Sequence, residues 1–160
     1  MTKLINNKKF FDNRGSLTEL YNSYNKKYAK FMINQILMIE SKKNVIRGLH
    51  FQKKILQEKI LIILEGEILD VIINLKNIKK KKIIYNKLNQ KNNSLLIPKG
   101  YAHGYQVLSN KCKIMYFIKG RYIKKYQTGI KWDDPFLNIK WSIKKPIISA
   151  KDNDLPYICA

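Results

Sequence analysis

Residues 59–76 read KILIILEGEILDVIINLK, and this stretch decides how the rest of the chain is to be read. Two apolar runs, Ile60–Leu64 and Ile68–Leu75, flank Glu65-Gly66-Glu67. Each run is short and rich in isoleucine and valine, whose branched β-carbons crowd a helix and suit a pleated strand. The glycine between them marks a turn. Outward from this stretch the pattern repeats, with apolar runs at Ile83–Leu88, Leu95–Ile97, Gly104–Leu108 and Ile114–Ile118. Turn signals separate them: the lysine run Lys79–Lys82, Lys91-Asn92-Asn93, Pro98-Lys99-Gly100 and Ser109-Asn110-Lys111. Many short strands at near-regular spacing predict an all-β antiparallel sandwich or barrel. No segment sustains the i, i+3, i+4, i+7 pattern for four turns, which leaves room for short helices near the N-terminus or in the C-terminal quarter. The chain has 160 residues and shows no repeat, linker or shift in composition, so residues 1–160 are expected to form a single domain.

Hydrophobic residues make up 45% and charged residues 27%, a globular composition. No apolar run approaches the roughly 18–20 residues that a membrane helix needs, and the first residues carry no signal-peptide core. Cys112 and Cys159 have neither CxxC nor CxxH spacing, which argues against a disulfide framework or a zinc site and for a reducing cytoplasm. The formal net charge of +21 suggests a polyanion partner at first sight. Yet only three of the 32 basic residues are arginine, the residue that nucleic-acid readers favour for bidentate contacts. Lysine, isoleucine and asparagine are what A/T-rich codons encode, so codon composition accounts for the excess as well as function does. No nucleic-acid or membrane partner is expected, and an anionic small substrate is preferred.

The chain has two histidines, His50 in RGLHFQ (47–52) and His103 in PKGYAHGYQVLS (98–109). Glycine and a second polar group lie within three residues of each, a composition that suits a site wall better than a core strand. Lys59 stands immediately before an apolar run. In the inward phase its ammonium would be costly unless it faced an anion; in the outward phase it would simply reach water. The three arginines, Arg14, Arg47 and Arg121, stand where this chain otherwise uses lysine, which points to planar, bidentate anion recognition.

Seven segments in order carry a resemblance along almost the whole chain: FDNRGSLTE (11–19), VIRGLHFQ (45–52), QEKILIILEGEILDVIINLK (57–76), LLIPKGYAHGYQVLS (95–109), MYFIKGRY (115–122), WDDPFLNIKW (132–141) and SAKDNDLPY (149–157). The chain resembles the dTDP-4-dehydrorhamnose 3,5-epimerase family of nucleotide-sugar enzymes. The resemblance implies a cupin-type double-stranded β-helix, or jelly roll, with short peripheral helices. It implies a homodimer that exchanges N-terminal strands; Phe10, Phe11, Leu17, Leu20, Tyr21, Phe31 and Met32 supply the apolar character this needs. Metal-binding cupins place a second histidine where this chain has Gln52, and Lys59 adds a cation nearby. One imidazole from each half beside an ammonium is a poor divalent-metal site, so no metal and no cofactor are expected.

The reaction of this family inverts carbons flanking the ketone of a nucleoside-diphosphate 4-keto-6-deoxy sugar. Such chemistry needs a base on one face, an acid on the other and a cation at the ketone oxygen. The resemblance casts His50 as the base, Asp152 as its carboxylate partner, Tyr116 as the opposing acid and Lys59 as the stabiliser of the enolate oxygen. Arg14, Glu19, Gln35, Arg47, His103, Tyr122 and Lys151 fall on positions that line the nucleotide-sugar cleft; Arg121 has no such match.

The departures are Leu17, where the family carries an aromatic residue, and Leu37 and Ile39 in QILMIES (35–41), where it carries polar groups; Gln35 and Ser41 remain. A cleft with fewer hydrogen-bonding partners discriminates differently among hydroxylated sugars. The leading expectation is a double epimerase that converts dTDP-4-dehydro-6-deoxyglucose to dTDP-4-dehydrorhamnose. The alternatives are a single-carbon (3- or 5-) epimerase or an epimerase of a heptose or other nucleoside-diphosphate sugar in the same family and, further off, a non-catalytic sugar-nucleotide-binding cupin.

Overall fold

The computed structural model describes residues 2–26, 28, 30–91 and 94–158; Cys159 and the predicted turn at Asn92-Asn93 lie outside the described residues. Twelve strands follow one another: β1 (Lys3–Ile5), β2 (Lys9–Asp12), β3 (Gly15–Thr18), β4 (Gln35–Lys42), β5 (Ile46–Gln52), β6 (Glu58–Glu65), β7 (Glu67–Asn74), β8 (Ile83–Asn89), β9 (Ser94–Ile97), β10 (Tyr101–Val107), β11 (Lys111–Lys119) and β12 (Gln127–Gly129). Among the described residues, helical structure is confined to 3-10 turns at Leu75–Lys80 and Lys124–Tyr126 and one short α-helix, α1 (Ala150–Asn153). None of these is long and apolar enough to cross a membrane.

Two five-stranded antiparallel sheets pack face to face in a cupin-type jelly roll. One runs β1-β9-β6-β11-β4 and the other β12-β5-β10-β7-β8. The hairpin β2-β3 forms a small sheet of its own. All six strands expected from the apolar runs are present, and the lysine run falls at the end of the 3-10 turn before β8. The turn between β6 and β7 depends on Gly66, whose φ of +84° belongs to the left-handed region; a Cβ there would stand 2.2 Å from the Lys111 carbonyl oxygen.

Strands β6 and β7 are buried on both faces, which explains why their sequence is a nearly unbroken apolar run instead of an alternation. Leu61, Ile63, Ile68 and Ile72 point into the core between the sheets, with Ile114, Tyr116 and Val107. Ile60 and Ile62 point the other way and are covered by N-terminal Ile5, Tyr28 and Phe31. Val71 and Ile73 are likewise covered by Ile130, Leu137 and Ile139 from the C-terminal segment. That segment is anchored by Asp134, fully buried, whose carboxylate accepts from the backbone N–H of Leu137 (2.8 Å) and of Ile158 (2.6 Å).

Candidate active site

Strand register brings the two histidines together. His50 on β5 is directly opposite His103 on β10, and directly opposed residues of adjacent strands share a face. The register shifts just beyond this pair, where Gly48 and Gly104 face each other. Gly48 has φ +105°, and a Cβ on it would lie 2.6 Å from the Gly104 Cα. The paired glycines allow the backbones to close at the bulge, and the bulge re-aims the residues beside it.

His50 Nε2 lies 2.8 Å from Asp152 Oδ1, although 102 residues separate the two in the chain. The other oxygen, Oδ2, accepts the Gly48 backbone N–H at 3.0 Å. Asp152 sits in α1, whose N-cap Ser149 accepts from the Asp152 N–H; four residues of helix thus fix the carboxylate. Burial pushes the Asp152 carboxyl up, but the His50 hydrogen bond and charge, the Gly48 N–H and the Arg47 charge together hold it below the usual carboxylate value. Asp152 therefore stays ionised, and a carboxylate on Nε2 selects the tautomer that leaves Nδ1 of His50 as the basic nitrogen.

His103 is organised in the same way, deeper in the barrel. Its Nε2 lies 2.6 Å from Asp70 Oδ1, and Asp70 Oδ2 accepts from Asn86 Nδ2 at 3.1 Å. The imidazole and the carboxylate are both buried. Asp70 was missed by sequence reasoning, although a single carboxylate within the apolar run ILDVII signals a buried acid in need of a partner.

The opposite wall comes from the other sheet. On β11, Ile114, Tyr116 and Ile118 face inward; register pairs Ile118 with Lys59 on β6 and Gln35 on β4, and Tyr116 with Leu61 and Leu37. Lys59 is thus in the inward phase, in line with core residues Leu61 and Ile63. No carboxylate pairs with it among the described residues, and burial pulls its ammonium down from 10.5 to about 8. The Tyr116 phenol moves well above 10, first through burial and then through the nearby Tyr105 and Asp70. It keeps its proton at neutral pH. Its ring meets that of His103 edge-on, with centroids 6.0 Å apart.

Between these walls lies a cavity of about 330 Å³, lined by Gln35, Arg47, His50, Lys59, His103, Tyr116, Tyr122 and Lys151 of the expected residues. Asp152 stands behind His50. Sequence reasoning missed Gln57, Tyr105, Ile118 and Gln127 as further lining groups, while Leu37 and Ile39 form an apolar stripe along β4. The lining includes Arg47, Lys59 and Lys151 but no aspartate or glutamate, so the cavity suits an anion. Arg14 and Glu19 do not line it. Arg14 lies at the turn of the β2-β3 hairpin, exposed and bonded to Asp12 (Nη2 to Oδ2, 2.7 Å), and Glu19 Oε2 accepts from Asn22 Nδ2. The Gln52 amide is committed to the backbone: Nε2 donates to the carbonyls of Ile55 and Arg121, and Oε1 accepts from the Ile123 N–H. Among the described residues no three histidine, cysteine, aspartate or glutamate side chains converge as a metal site would require.

Comparison with known proteins agrees with this architecture. The family model described as dTDP-4-dehydrorhamnose 3,5-epimerase matches residues 2–159. A relative of that name from Methanothermobacter thermautotrophicus is 34% identical over 158 residues, covering 91% of this chain and 83% of that protein. The crystal structure of the Bacillus anthracis dTDP-4-dehydrorhamnose 3,5-epimerase, with TDP and pyrophosphate bound, superposes with a TM-score of 0.86 at 34% identity over 98% of this chain and 94% of that one. A Legionella pneumophila dTDP-6-deoxy-D-glucose-3,5-epimerase in complex with dTDP-4-keto-L-rhamnose gives a TM-score of 0.86 at 28% identity, over 99% and 94% of the two chains.

Proposed function

The chain belongs to the dTDP-4-dehydrorhamnose 3,5-epimerase family, and from that premise we propose how its own residues carry out the family's reaction. The protein is an isomerase that inverts C3 and C5 of dTDP-4-dehydro-6-deoxyglucose, giving dTDP-4-dehydrorhamnose, in nucleotide-sugar biosynthesis. Residues 1–160 act as one catalytic unit.

His50 Nδ1 removes the hydrogen on the carbon next to the ketone. The electron pair moves into the carbon–carbon bond, and the carbonyl oxygen becomes an enolate. The Lys59 ammonium, which lines the cavity with no carboxylate partner among the described residues, offers the positive charge that this oxygen needs. Tyr116 then gives its phenolic proton to the opposite face of the same carbon, which inverts it; His50 releases the proton it took to solvent and Tyr116 regains one from solvent, which resets both groups. The same sequence at the second carbon completes the double inversion.

The observation that carries this reading is the placement of base and acid on opposing walls. His50 comes from one sheet with its carboxylate behind it, and Tyr116 from the other with its proton held by burial. A protein that only binds sugar nucleotides has no use for such a pair. Arg47, Lys151 and Gln35 hold the diphosphate and sugar, His103 Nδ1 accepts from a sugar hydroxyl because Nε2 is taken by Asp70, and Tyr122 stands at the mouth beside the nucleotide.

Arg14 and Glu19 take part through a second copy. Among the described residues the β2-β3 hairpin pairs with no other strand, and it exposes Phe10, Phe11 and Leu17. In a homodimer formed by exchange of this region, the hairpin would cover the neighbouring copy's cleft and bring Arg14 and Glu19 to it. Cys112, buried and free, with its thiol pushed up to about 11 by burial and by Glu65, is compatible with the cytoplasm as the place of action. Turnover of dTDP-4-dehydro-6-deoxyglucose in heavy water tests the reading. Deuterium at both C3 and C5 of the product supports it, label at C3 or C5 alone makes the protein a single-carbon epimerase, and no label with bound sugar nucleotide leaves only the binding cupin.

A further inference from the structure

Ser41 lies outside the acid–base machinery and does not line the cavity, yet its hydroxyl holds the only arginine that does. Along β4 the inward positions are Gln35, Leu37, Ile39 and Ser41; the first three face the cavity and Ser41 is buried behind them. Its Oγ accepts the Arg47 Nε–H at 3.1 Å and stands 3.4 Å from the Tyr105 hydroxyl. Ser41 belongs to one sheet, Arg47 and Tyr105 to the other, so this contact spans the gap between the two walls.

The geometry points to Ser41 as a positioning residue that fixes the Arg47 guanidinium for phosphate recognition. This rests on the reading above of Arg47 as a diphosphate ligand. A guanidinium carries five N–H donors in a planar fork. When Nε–H is taken sideways by Ser41, the remaining four N–H groups are those of the two terminal nitrogens. These can meet two oxygens of one phosphate at once, the arrangement that makes arginine a better anion clamp than lysine. Burial pushes the Tyr105 phenol up, so it stays a neutral O–H and a partner for Ser41 that carries no charge. The serine hydroxyl has one hydrogen and two lone pairs, enough to serve Tyr105 and Arg47 together. Without it the long arginine side chain is free to rotate, and each binding event must order it again.

Calorimetric titration with dTDP, which has the diphosphate but no reacting sugar, separates positioning from chemistry. Ser41→Ala should weaken dTDP binding about tenfold, equivalent to ~1.4 kcal/mol. KM for the sugar nucleotide should rise by a similar factor, with KM moving much more than kcat. Ser41→Cys keeps the volume but replaces a strong acceptor with a weak one, so it should shift affinity in the same direction if the alanine variant folds poorly. The deciding measurement is a double-mutant cycle with Arg47→Lys. Lysine has no Nε–H for Ser41 to engage, so Ser41→Ala in that background should leave dTDP affinity unchanged. An equal loss in both backgrounds would make Ser41 a general packing residue and overturn the proposal. So would dTDP binding by the wild-type protein that Ser41→Ala leaves intact. A wild-type protein with no affinity for dTDP would overturn the nucleotide-sugar reading itself and the proposal with it.

Discussion

Lys59 should weaken the fold that it serves, and Lys59→Met is the perturbation that exposes this. Methionine nearly matches the lysine stem in length and leaves no charge in the wall. Lys59 is pulled down from 10.5 to about 8 by burial, which at about 1.4 kcal/mol per pH unit corresponds to an upper bound of ~3.5 kcal/mol of native-state penalty. Water reaching the cavity mouth reduces that, so the expected gain for the methionine variant at pH 7 is about 2–3 kcal/mol. For a chain of this size this amounts to roughly 5–10 °C in Tm. Below about pH 8 the lysine is charged in both folded and unfolded chains, and the full penalty stands. Between about 8 and 10.5 the folded form has released a proton that the unfolded chain still holds, so wild-type stability rises with pH. The advantage of methionine should therefore shrink across this window. Urea denaturation of both proteins from pH 6 to 10, at one protein concentration, measures it, and epimerase activity should fall by roughly 10²–10³ in the same variant. A methionine variant less stable than wild type at pH 7, or a difference that does not change with pH, would refute the reasoning.

Three further outcomes follow from the geometry. Asp152→Asn removes the charge that selects the His50 tautomer, so kcat should drop by about 10³–10⁴ while dTDP affinity measured by calorimetry stays near that of wild type. Gly48→Ala forces a Cβ to within 2.6 Å of the Gly104 Cα at a left-handed φ, and denaturant unfolding should show a loss on the order of 2–5 kcal/mol; a loss below 1 would mean that the bulge is not tight. Light scattering at moderate ionic strength should give twice the mass of the chain, and Arg14→Ala should raise KM without changing that mass; a monomer with unchanged KM would remove the hairpin exchange.

The parts of the fold legible in the sequence are those where local composition and burial agree. β6 and β7 announce themselves because strands covered on both faces are almost wholly apolar, and β8 to β11 because glycine, lysine or asparagine separates their short apolar runs. β4 is less legible, since Ile36 and Met38 face outward at an exposed sheet edge and its QILMIESK sequence lacks alternation. Lys59 could be singled out from sequence, but its inward phase rests on pairing with Ile118, far along the chain. The same limit applies to the acid–base set. His50 stands out by its neighbours, whereas its partner Asp152 is 102 residues away, and only the family resemblance joined the two before the fold did. Asp70 stays hidden in the sequence because its partner, His103, stands 33 residues further on and only the pairing of β7 with β10 joins them. Arg14 and Glu19 show the converse: sequence likeness puts them in a cleft that their own chain does not let them line.

The central claim is that His50 and Tyr116 serve opposite faces of one carbon, and solvent exchange in the Tyr116→Phe variant tests it most directly. Incubated with dTDP-4-dehydro-6-deoxyglucose in heavy water, this variant should still let deuterium into the unchanged sugar at C3, because His50 removes the proton and can return a solvent-derived one to the same face. Epimerised product should be scarce, and His50→Ala should show neither label nor inversion. Normal epimerisation by Tyr116→Phe, or label entering His50→Ala at the wild-type rate, would contradict the assignment of acid and base.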